Sequence, residues 1–346
     1  MRFGLFDHVD ANGRPMAQLL DERIEFVSAA EAAGFYCYHV AEHHATPLNL
    51  VPVPGVYLGA IARATSRIRL GPLGYLLPLY SPLRLIEEIC ILDHLSHGRL
   101  DVGVGRGISP FELKFHDVDP NTSHGIFREA LDTVLSGLDN EELNHEGENY
   151  SYRKVPMELR PLQNPHPPIW YPTNSVEGGT FGGDNGYHFV TLGGVEFARP
   201  GLEAFKEAFA KRGRPGDGAT DDFEGGAAMG IMRHLVIDET EEAAMKLAEP
   251  AYQAWEANLT KLWRVNKVPG PNIAQFIPPT LEEAMQRGSV LVGSPATVHD
   301  KLVADIEALG LNYMVTAFYF GDIAHETALR SMETFAAEIM PQLQRM

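Results

Sequence analysis

Hydrophobic and polar positions along this chain follow two alternating patterns. Short β-rich runs, such as Arg2 to Phe6 and Tyr36 to Ala41, have the composition of buried strands. Between these runs, longer segments place apolar residues three and four positions apart, as in Met16 to Ala33, where the pattern stops at Gly34. Strands that alternate with helices are typical of parallel βαβ units. The chain therefore predicts an α/β fold.

The positions of the strands and helices define the architecture further. Four βα units fit in about the first hundred residues, and a (β/α)8 barrel requires such a density. The predicted strands are Arg2 to Phe6, Tyr36 to Ala41, Ile68 to Leu76, Leu100 to Val104, Ile169 to Thr173, His188 to Leu192, Ala227 to Val236 and Tyr313 to Phe318. The predicted helices are Met16 to Ala33, Pro54 to Ala64, one that begins at Pro82, Thr122 to Leu138, Gly201 to Arg212, Ala296 to Leu309 and one that ends near Met340. We predict one (β/α)8 TIM barrel domain over residues 1–346.

Two stretches interrupt the alternation. Residues Glu141 to Pro168 are polar and punctuated by proline, which predicts a small hairpin. Between Thr260 and Ser289 the helical period fades and prolines cluster, which predicts an irregular insertion. Because long loops in compact domains are usually functional, we interpret residues 260–289 as a lid over the active site. A plain linker to the last helix is the alternative.

Charge and cysteine content narrow the classes of function. The formal net charge is −18, without the clustered basic residues that a nucleic-acid surface needs. The two cysteines, Cys37 and Cys90, lie in apolar segments, so we expect two buried thiols in a reducing compartment. No apolar run approaches the roughly 18 residues of a membrane span, and the N-terminus lacks a signal-peptide core. We expect a cytoplasmic protein.

The turn Glu42-His43-His44 carries the strongest candidate chemistry. It follows the second predicted strand, and catalytic groups of TIM barrels gather at the carboxyl ends of the strands. An imidazole, with an ordinary pKa near 6.5, can take or give a proton around neutral pH. A solvated turn or a structural histidine is the competing interpretation. A zinc site is a second competitor, but the remaining histidines are scattered and supply no second ligand cluster, so we expect no metal.

Three further segments are candidates for ligand binding. Gly103-Val104-Gly105-Arg106-Gly107 would let a ligand approach the backbone, and Arg106 offers a planar donor group for a phosphate or a carbonyl. Asn174-Ser175 leads into Gly178-Gly179-Thr180 at a predicted helix start, which is either an anion site or an ordinary helix cap. Gly71 and Gly74 in the third strand indicate a bulge or a planar ligand stacked on the backbone.

These segments, in this order, resemble the bacterial luciferase-like flavin-dependent monooxygenases. The resemblance rests on Val40 to His44, on Arg69-Leu70-Gly71 running to Tyr80-Ser81-Pro82, on Leu92 to Gly107 and on Leu291 to Pro295. It spans nearly the whole chain. The resemblance implies a (β/α)8 barrel that binds reduced flavin mononucleotide (FMN) from a separate flavin reductase. Such a barrel would activate molecular oxygen and oxygenate a small organic substrate, such as an aldehyde, as a homodimer.

The resemblance also implies roles for particular residues. His43 would be the catalytic acid or base, Glu42 its catalytic neighbour, and His44 the more structural imidazole. Leu73-Gly74 falls where these barrels have a non-prolyl cis peptide against the flavin ring. The remaining cofactor-binding positions would be Gly105, Arg106, His124, Asn174, Ser175 and Val176.

The chain departs from the luciferase pattern at three of these positions. His124 stands in place of an arginine, and Asn174 in place of a glutamate, so the phosphate would be held differently. Gly105 stands in place of a cysteine, which favours an ordinary oxidoreductase over a light-emitting enzyme. Two alternatives stay open: a deazaflavin-dependent dehydrogenase or reductase, and a flavin-binding barrel without catalysis. The sequence does not identify the substrate.

Overall fold

A computed structural model of the chain describes residues 1–213, 222–268 and 278–346. The strands are β1 (Arg2–Asp7), β2 (Cys37–Val40), β3 (Arg69–Pro72), β4 (Tyr75–Leu76), β5 (Val102–Gly105), β6 (Glu142–Glu146), β7 (Ser151–Pro156), β8 (Ile169–Pro172), β9 (His188–Thr191), β10 (Met229–Ile237), β11 (Val290–Gly293) and β12 (Tyr313–Ala317). The helices are α1 (Met16–Ala33), α2 (Pro54–Ala64), α3 (Pro82–Leu95), α4 (Pro110–Phe115), α5 (Ser123–Asp139), α6 (Val176–Asn185), α7 (Val195–Arg212), α8 (Glu241–Val265), α9 (Leu281–Gln286), α10 (Pro295–Leu309), α11 (His325–Thr334) and α12 (Met340–Leu343).

The strands form one parallel barrel sheet in the order β3, β2, β1, β12, β10, β9, β8, β5, β4. A parallel bridge between Leu70 and Leu100 brings the two ends of this order together. Among the described residues, strand β11 pairs only with β10. The pairing is at the carboxyl end of β10, where His234 is in register with Val290. The protein is therefore a (β/α)8 TIM barrel, and the loops at the carboxyl ends of its strands share one mouth.

Side chains of alternate strand positions point to opposite faces of the sheet and separate two cores. Inside the barrel lies an aromatic cluster that includes Trp170, Phe223 and Tyr313. Outside it, apolar side chains of the strands pack against the surrounding helices in the larger cluster, as Leu70 and Ile89 do. Both sides of each strand are therefore buried, which explains why the strands read as nearly continuous apolar runs.

The fold confirms most of the predicted elements. All eight predicted strands belong to the barrel, and the predicted hairpin is the antiparallel pair β6 and β7. Both cysteines are buried and unpaired, as expected. In the described part of the chain, no helix is long and apolar enough to cross a membrane.

Two boundary predictions were wrong, and one strand was missed. The third predicted strand, Ile68 to Leu76, is divided into β3 and β4 by Leu73 and Gly74. Helix α7 begins at Val195 rather than Gly201, so Pro200 lies inside the helix, where it removes one backbone hydrogen bond. The strand β11 was not predicted as an element of the sheet.

The predicted insertion at residues 260–289 needs a correction of its own. Helix α8 continues to Val265, so the stretch from Thr260 onward is helical, and a second helix, α9, occupies Leu281–Gln286. Apolar residues of α8 that are buried beyond Thr260, Leu262 and Trp263, anchor that end to the barrel. Residues 269–277, the remainder of the predicted lid, lie outside the described residues.

Candidate active site

His43 and a glutamate from a different loop form the central pair of the barrel mouth. His43 lies two residues beyond Ala41, whose N–H still donates to the carbonyl of Asp7 on the neighbouring strand. Nδ1 of His43 is 3.2 Å from Oε1 of Glu112, and Oε2 of the same carboxyl group accepts from the backbone N–H of His44 at 3.1 Å. Glu112 therefore fixes both the His43 ring and the turn that carries it.

Helix α4 positions Glu112. The side chain of Ser109 caps this helix by accepting from the N–H of Glu112 at 3.3 Å, and Glu112 is buried. Sequence reasoning missed Glu112 because the loop after β5 has no pattern that indicates which residue turns inward. The Ser109-Pro110 start of a helix was the available signal, since it places an acidic residue in the first turn.

Glu42 stabilises the turn through two hydrogen bonds of its carboxyl group. Its Oε1 is 2.8 Å from Nε2 of His44, and its Oε2 accepts from the backbone N–H of Leu76 at 3.0 Å. The Glu42 side chain is fully buried, and His44 also packs against the ring of His116, with 4.6 Å between ring centroids. Glu42 and His44 therefore tie β2 to β4, while His43 remains partly exposed at the mouth.

Two further histidines line the mouth beside His43. The ring centroid of His8, which follows β1, lies 5.8 Å from that of His43. His234, on β10, and Trp255, on α8, pack against each other with 4.5 Å between ring centroids, and Trp255 is also 6.2 Å from His8. His8 could have been predicted from its position at a strand end. Nothing in the sequence indicated that Trp255 would reach the mouth.

Burial keeps these two histidines uncharged. Desolvation, followed by the positive charges that His43 and His234 would carry, lowers the pKa of His8 well below its ordinary value. Desolvation lowers the pKa of His234 to about 3. At neutral pH both rings are therefore neutral and can offer one N–H donor and one acceptor nitrogen each.

The opposite side of the mouth carries the glycines singled out in the sequence. The peptide bond between Leu73 and Gly74 is cis and non-prolyl, as the resemblance implied. A Cβ on Gly74 would lie 2.5 Å from the backbone of Gly103, and one on Gly71 would lie 2.1 Å from the carbonyl of Asp101. These glycines allow neighbouring strands to approach closely. At Gly105, by contrast, a Cβ would meet nothing closer than 4.0 Å, so the surface there is open.

Arg106 follows this open surface. Its Nη1 donates to Oγ of Ser123 at 3.2 Å, at the first residue of α5. His124, the next residue, is exposed in the same first turn. Arg128, which no sequence pattern indicated, lies over the ring of Phe181 on α6, with its guanidinium carbon 3.2 Å from the ring centroid. Cationic groups of α5 and of the β5 loop therefore stand beside α6.

The segment Asn174-Ser175-Val176 stands on the adjacent strand, because β8 pairs with β5. Oγ of Ser175 caps α6 by accepting from the N–H of Gly178 at 3.0 Å, which is the ordinary cap interpretation of this residue. Oδ1 of Asn174 accepts from Oγ1 of Thr191 and the N–H of Leu192. Gly179 does not face a ligand: its Cβ would lie 2.1 Å from the carbonyl of Gly201 on α7.

This donor set fits a flavin nucleotide. The N-terminus of α6 and the guanidinium of Arg106 can supply anion donors, and the backbone at Gly105 is open to the approach of a ligand. In residues 1–213, 222–268 and 278–346, no group of three or more His, Cys, Asp or Glu side chains could hold a metal ion.

Fold and site together define a TIM-barrel protein that carries an imidazole–carboxyl pair and a set of potential anion donors at one mouth. Comparison with known families identifies the class more closely. The model of the luciferase-like monooxygenase family matches residues 1–313, and the chain belongs to this flavin-dependent family.

Individual proteins resemble this chain over nearly its whole length. An uncharacterized protein, y4wF, of Sinorhizobium fredii is 35% identical over 344 residues, covering 99% of this chain and 97% of its own. The oxygenase component of the flavin-dependent trigonelline monooxygenase of Acinetobacter baylyi is 28% identical, covering 99% and 95%. The solved oxygenating constituent of 3,6-diketocamphane monooxygenase from Pseudomonas putida, a type II Baeyer-Villiger monooxygenase in complex with FMN, superimposes with a TM-score of 0.81 over 99% of this chain and 98% of its own, at 22% identity.

Proposed function

We propose that this protein is the oxygenase component of an FMN-dependent monooxygenase. It would receive reduced FMN from a separate flavin reductase and use molecular oxygen to oxygenate a small organic substrate, an aldehyde or a related compound. The observation that carries the proposal is the His43–Glu112 pair, which shares one mouth with the anion donors of β5 and α6. The name of the Acinetobacter baylyi relative, an oxygenase component, supports the separate reductase.

The residues at the mouth would have separate roles in cofactor binding and proton transfer. Arg106, His124, Asn174, Ser175 and Val176 would hold the ribityl and phosphate groups, and Leu73, Gly74 and Gly105 would lie against the ring. Reduced FMN, when bound, supplies two electrons, so that one oxygen atom enters the substrate and the other leaves as water. His43 would hold and transfer a proton that is needed when the second oxygen atom leaves as water.

Glu112 determines which nitrogen of His43 does so. A carboxyl oxygen at 3.2 Å from Nδ1 favours the tautomer with hydrogen on Nδ1, which leaves Nε2 as the acceptor. Glu42 would position the turn rather than contact His43. It is hydrogen-bonded to the side chain of His44 and to the backbone N–H of Leu76.

The decisive experiment compares the wild type with His43→Ala. The purified protein is supplied with FMN and a flavin reductase, and oxygen consumption is measured together with product formation across a substrate panel. We expect the variant to lose about 10²- to 10⁴-fold in oxygenation and to keep its affinity for FMN. Unchanged turnover in the variant would contradict the assignment of His43.

The same assay distinguishes the two alternative functions. A deazaflavin-dependent dehydrogenase would bind the reduced deazaflavin in preference to FMN and oxidise or reduce its substrate without consuming oxygen. A barrel that only binds flavin would take up FMN stoichiometrically and consume no oxygen with any substrate of the panel. Either result would replace the proposed function.

We also propose a homodimer in the cytoplasm. Two neighbouring helices, α2 and α3, expose apolar side chains on their outer faces: Val56 is 77% exposed and Ile91 49%. A second copy of the chain bound to this face would cover both side chains. The variant Val56→Glu, which places a charge in this face, should shift the molar mass measured by light scattering from dimer to monomer. Its control is Val265→Glu, at a comparably exposed residue on α8.

A further inference from the structure

Three aromatic side chains at the mouth have no part in the roles assigned above. His8, His234 and Trp255 are 7%, 3% and 4% exposed and come from β1, β10 and α8. Phe6 and Phe320 pack edge-on against His8 and His234, with 4.8 Å between ring centroids in each case. The result is an aromatic wall that begins beside His43.

Two polar atoms in this wall are buried and unsatisfied. Neither Nε1 of Trp255 nor Nε2 of His234 has a hydrogen-bond partner among the described residues. The indole nitrogen can only donate, and a neutral imidazole carries one N–H. Leaving a buried donor unpaired costs about 1–3 kcal/mol, so such atoms in a functional region indicate a partner that binds there.

The wall is held in place by two loops of the mouth. One turn of α8 beyond Trp255, Nδ2 of Asn258 donates to Oδ1 of Asp10 at 3.2 Å, and its carbonyl accepts from Oγ1 of Thr46 at 3.2 Å. Asp10 follows β1 and Thr46 follows β2. These contacts fix the helix against the loop that carries His43, so Trp255 covers the mouth as part of the folded barrel.

The position of the wall separates it from the cofactor side. The flavin donors stand on β3, β5 and β8, whereas His8 and His234 stand on β1 and β10, across the barrel. The His43 ring lies between the two sides, 5.8 Å from that of His8. A molecule bound against the wall would therefore face both His43 and the cofactor.

We propose that Trp255 and His234, with His8 beside them, bind the substrate, and that this substrate is a planar organic molecule with a carbonyl or carboxylate oxygen. The oxygen accepts hydrogen bonds from Nε1 of Trp255 and Nε2 of His234, and the rings of the wall pack against the planar part. This inference rests on the proposed function, and it specifies the class of substrate that the function leaves open.

The chemistry of the wall favours this class over others. The Trp255 and His234 rings lie 4.5 Å apart between centroids, and in the tautomer with hydrogen on Nε2 both unpartnered nitrogens donate. Two such donors match an sp² oxygen, which has two lone pairs, whereas an amine offers only one lone pair and needs acceptors for its hydrogens. The rings of the wall pack against one another at 4.5–6.2 Å between centroids, and a flat ring makes the same stacked and edge-on contacts with aromatic side chains. A hydrocarbon without such an oxygen would leave both donors unpaired.

The test is a binding titration with three monosubstituted benzenes as probes. Acetophenone carries a carbonyl, benzoate a carboxylate, and aniline neither. Each is titrated calorimetrically into the protein with and without oxidised FMN. We expect acetophenone or benzoate to bind at least tenfold more tightly than aniline, and the comparison of these two probes shows which kind of oxygen the wall takes.

Two variants connect binding to the named atoms. Trp255→Phe removes the indole N–H and keeps a ring, and His234→Phe does the same for the imidazole. Each should weaken the oxygen-bearing probe about tenfold or more and leave aniline unchanged. Trp263→Phe, on the same helix but packed against Phe111, is the matched control and should have no effect.

The inference and the proposed function can fail separately. Equal binding of all three probes, no binding of either oxygen-bearing probe, or full affinity in Trp255→Phe and His234→Phe would each overturn the substrate site, even if FMN-dependent oxygen consumption is intact. Conversely, the protein could lack FMN-dependent oxygenation and still bind an oxygen-bearing probe selectively, in a way that depends on Trp255. That result would contradict the proposed function and support the binding site.

Discussion

Oε1 of Glu112 lies 3.2 Å from Nδ1 of His43, although 69 residues separate them in the chain. The same carboxyl group also holds the backbone of His44, so one side chain of α4 fixes the ring and the turn together. A histidine held in this way presents Nε2 in a defined direction. The pair therefore makes the mouth of the barrel suited to proton transfer.

Replacing Glu112 by glutamine tests this arrangement. A glutamine side chain can donate its amide hydrogen to Nδ1, which would favour the tautomer with hydrogen on Nε2 and remove the acceptor nitrogen. We expect kcat of oxygenation to fall about 10²-fold or more, with little change in the dissociation constant of FMN. Steady-state kinetics and a flavin titration measure the two quantities.

A purely structural role for Glu112 would give a different result. It would lower the unfolding temperature of Glu112→Gln and reduce FMN affinity and turnover together. The control variant Glu148→Gln, at an exposed carboxyl group of the hairpin, should match the wild type in all three measurements. Restored turnover in Glu112→Asp, at reduced rate, would support positioning by the carboxyl group.

Arg106 provides a test of the cofactor side. Its guanidinium has one hydrogen bond to Ser123 in the described structure and several donors left for an anion. Because hydrogen bonds to a charged group are worth about 1.5–3 kcal/mol, Arg106→Ala should weaken FMN binding about 10- to 100-fold. Quenching of flavin fluorescence during titration measures this affinity. Arg153→Ala, in the hairpin, should bind FMN like the wild type, and an unchanged affinity in Arg106→Ala would remove Arg106 from the site.

His188 makes the stability of the barrel depend on pH. Its Nδ1 accepts from the N–H of Ala228 at 2.8 Å, and burial, followed by the charges of Arg69 and His39, lowers the pKa of His188 to about 3. In the unfolded chain the pKa of a histidine is near 6.5, so acid protonates the unfolded state first. Stability is therefore retained above pH 6.5 and is lost as the pH falls from 6.5 towards 3, by about 1.4 kcal/mol per pH unit for this residue.

The variant His188→Asn separates this effect from the other titrating groups. Its Oδ1 can accept from Ala228 without titrating, so the decline of unfolding free energy between pH 6 and pH 4 should become shallower by about 1.4 kcal/mol per pH unit. Urea denaturation at several pH values measures the slope. The exposed control, His97→Asn, should keep the wild-type slope, and an equal slope in both variants would show that His188 is charged in the folded barrel.

The barrel was largely predictable because its determinants are local. Each strand of the barrel is buried on both faces and most helices on one, so apolar periodicity located eight strands and most helices to within a few residues. Predicted boundaries were wrong where tertiary packing determines the end of an element. The last turns of α8, for example, are stabilised by the burial of Leu262 and Trp263 and have no strong helical period in the sequence. The glycines of α6 were read as ligand donors, and Gly179 instead permits the contact with α7.

The mouth was predictable only in part. His43 and Glu42 stand at a strand end, where the fold places functional groups, and the pattern of the surrounding segments identified them. Glu112, His234 and Trp255 come from a loop helix, a strand interior and an outer helix, and their meeting depends on the barrel being closed. A single sequence carries no record of such long-range contacts, so these residues required the structure.

Two glycines in helices give a direct test of the packing between α6 and α7. A Cβ at Gly179 would lie 2.1 Å from the carbonyl of Gly201, whereas a Cβ at Gly125, on the exposed side of α5, would meet nothing within 4 Å. Gly179→Ala must push the two helices apart and should lower the free energy of unfolding by about 1–3 kcal/mol. Gly125→Ala should raise it by about 0.5–1 kcal/mol, because alanine loses less backbone entropy in a helix. Chemical denaturation of both variants measures these opposite changes, and a stabilising Gly179→Ala would show that the helices are farther apart than the structure places them.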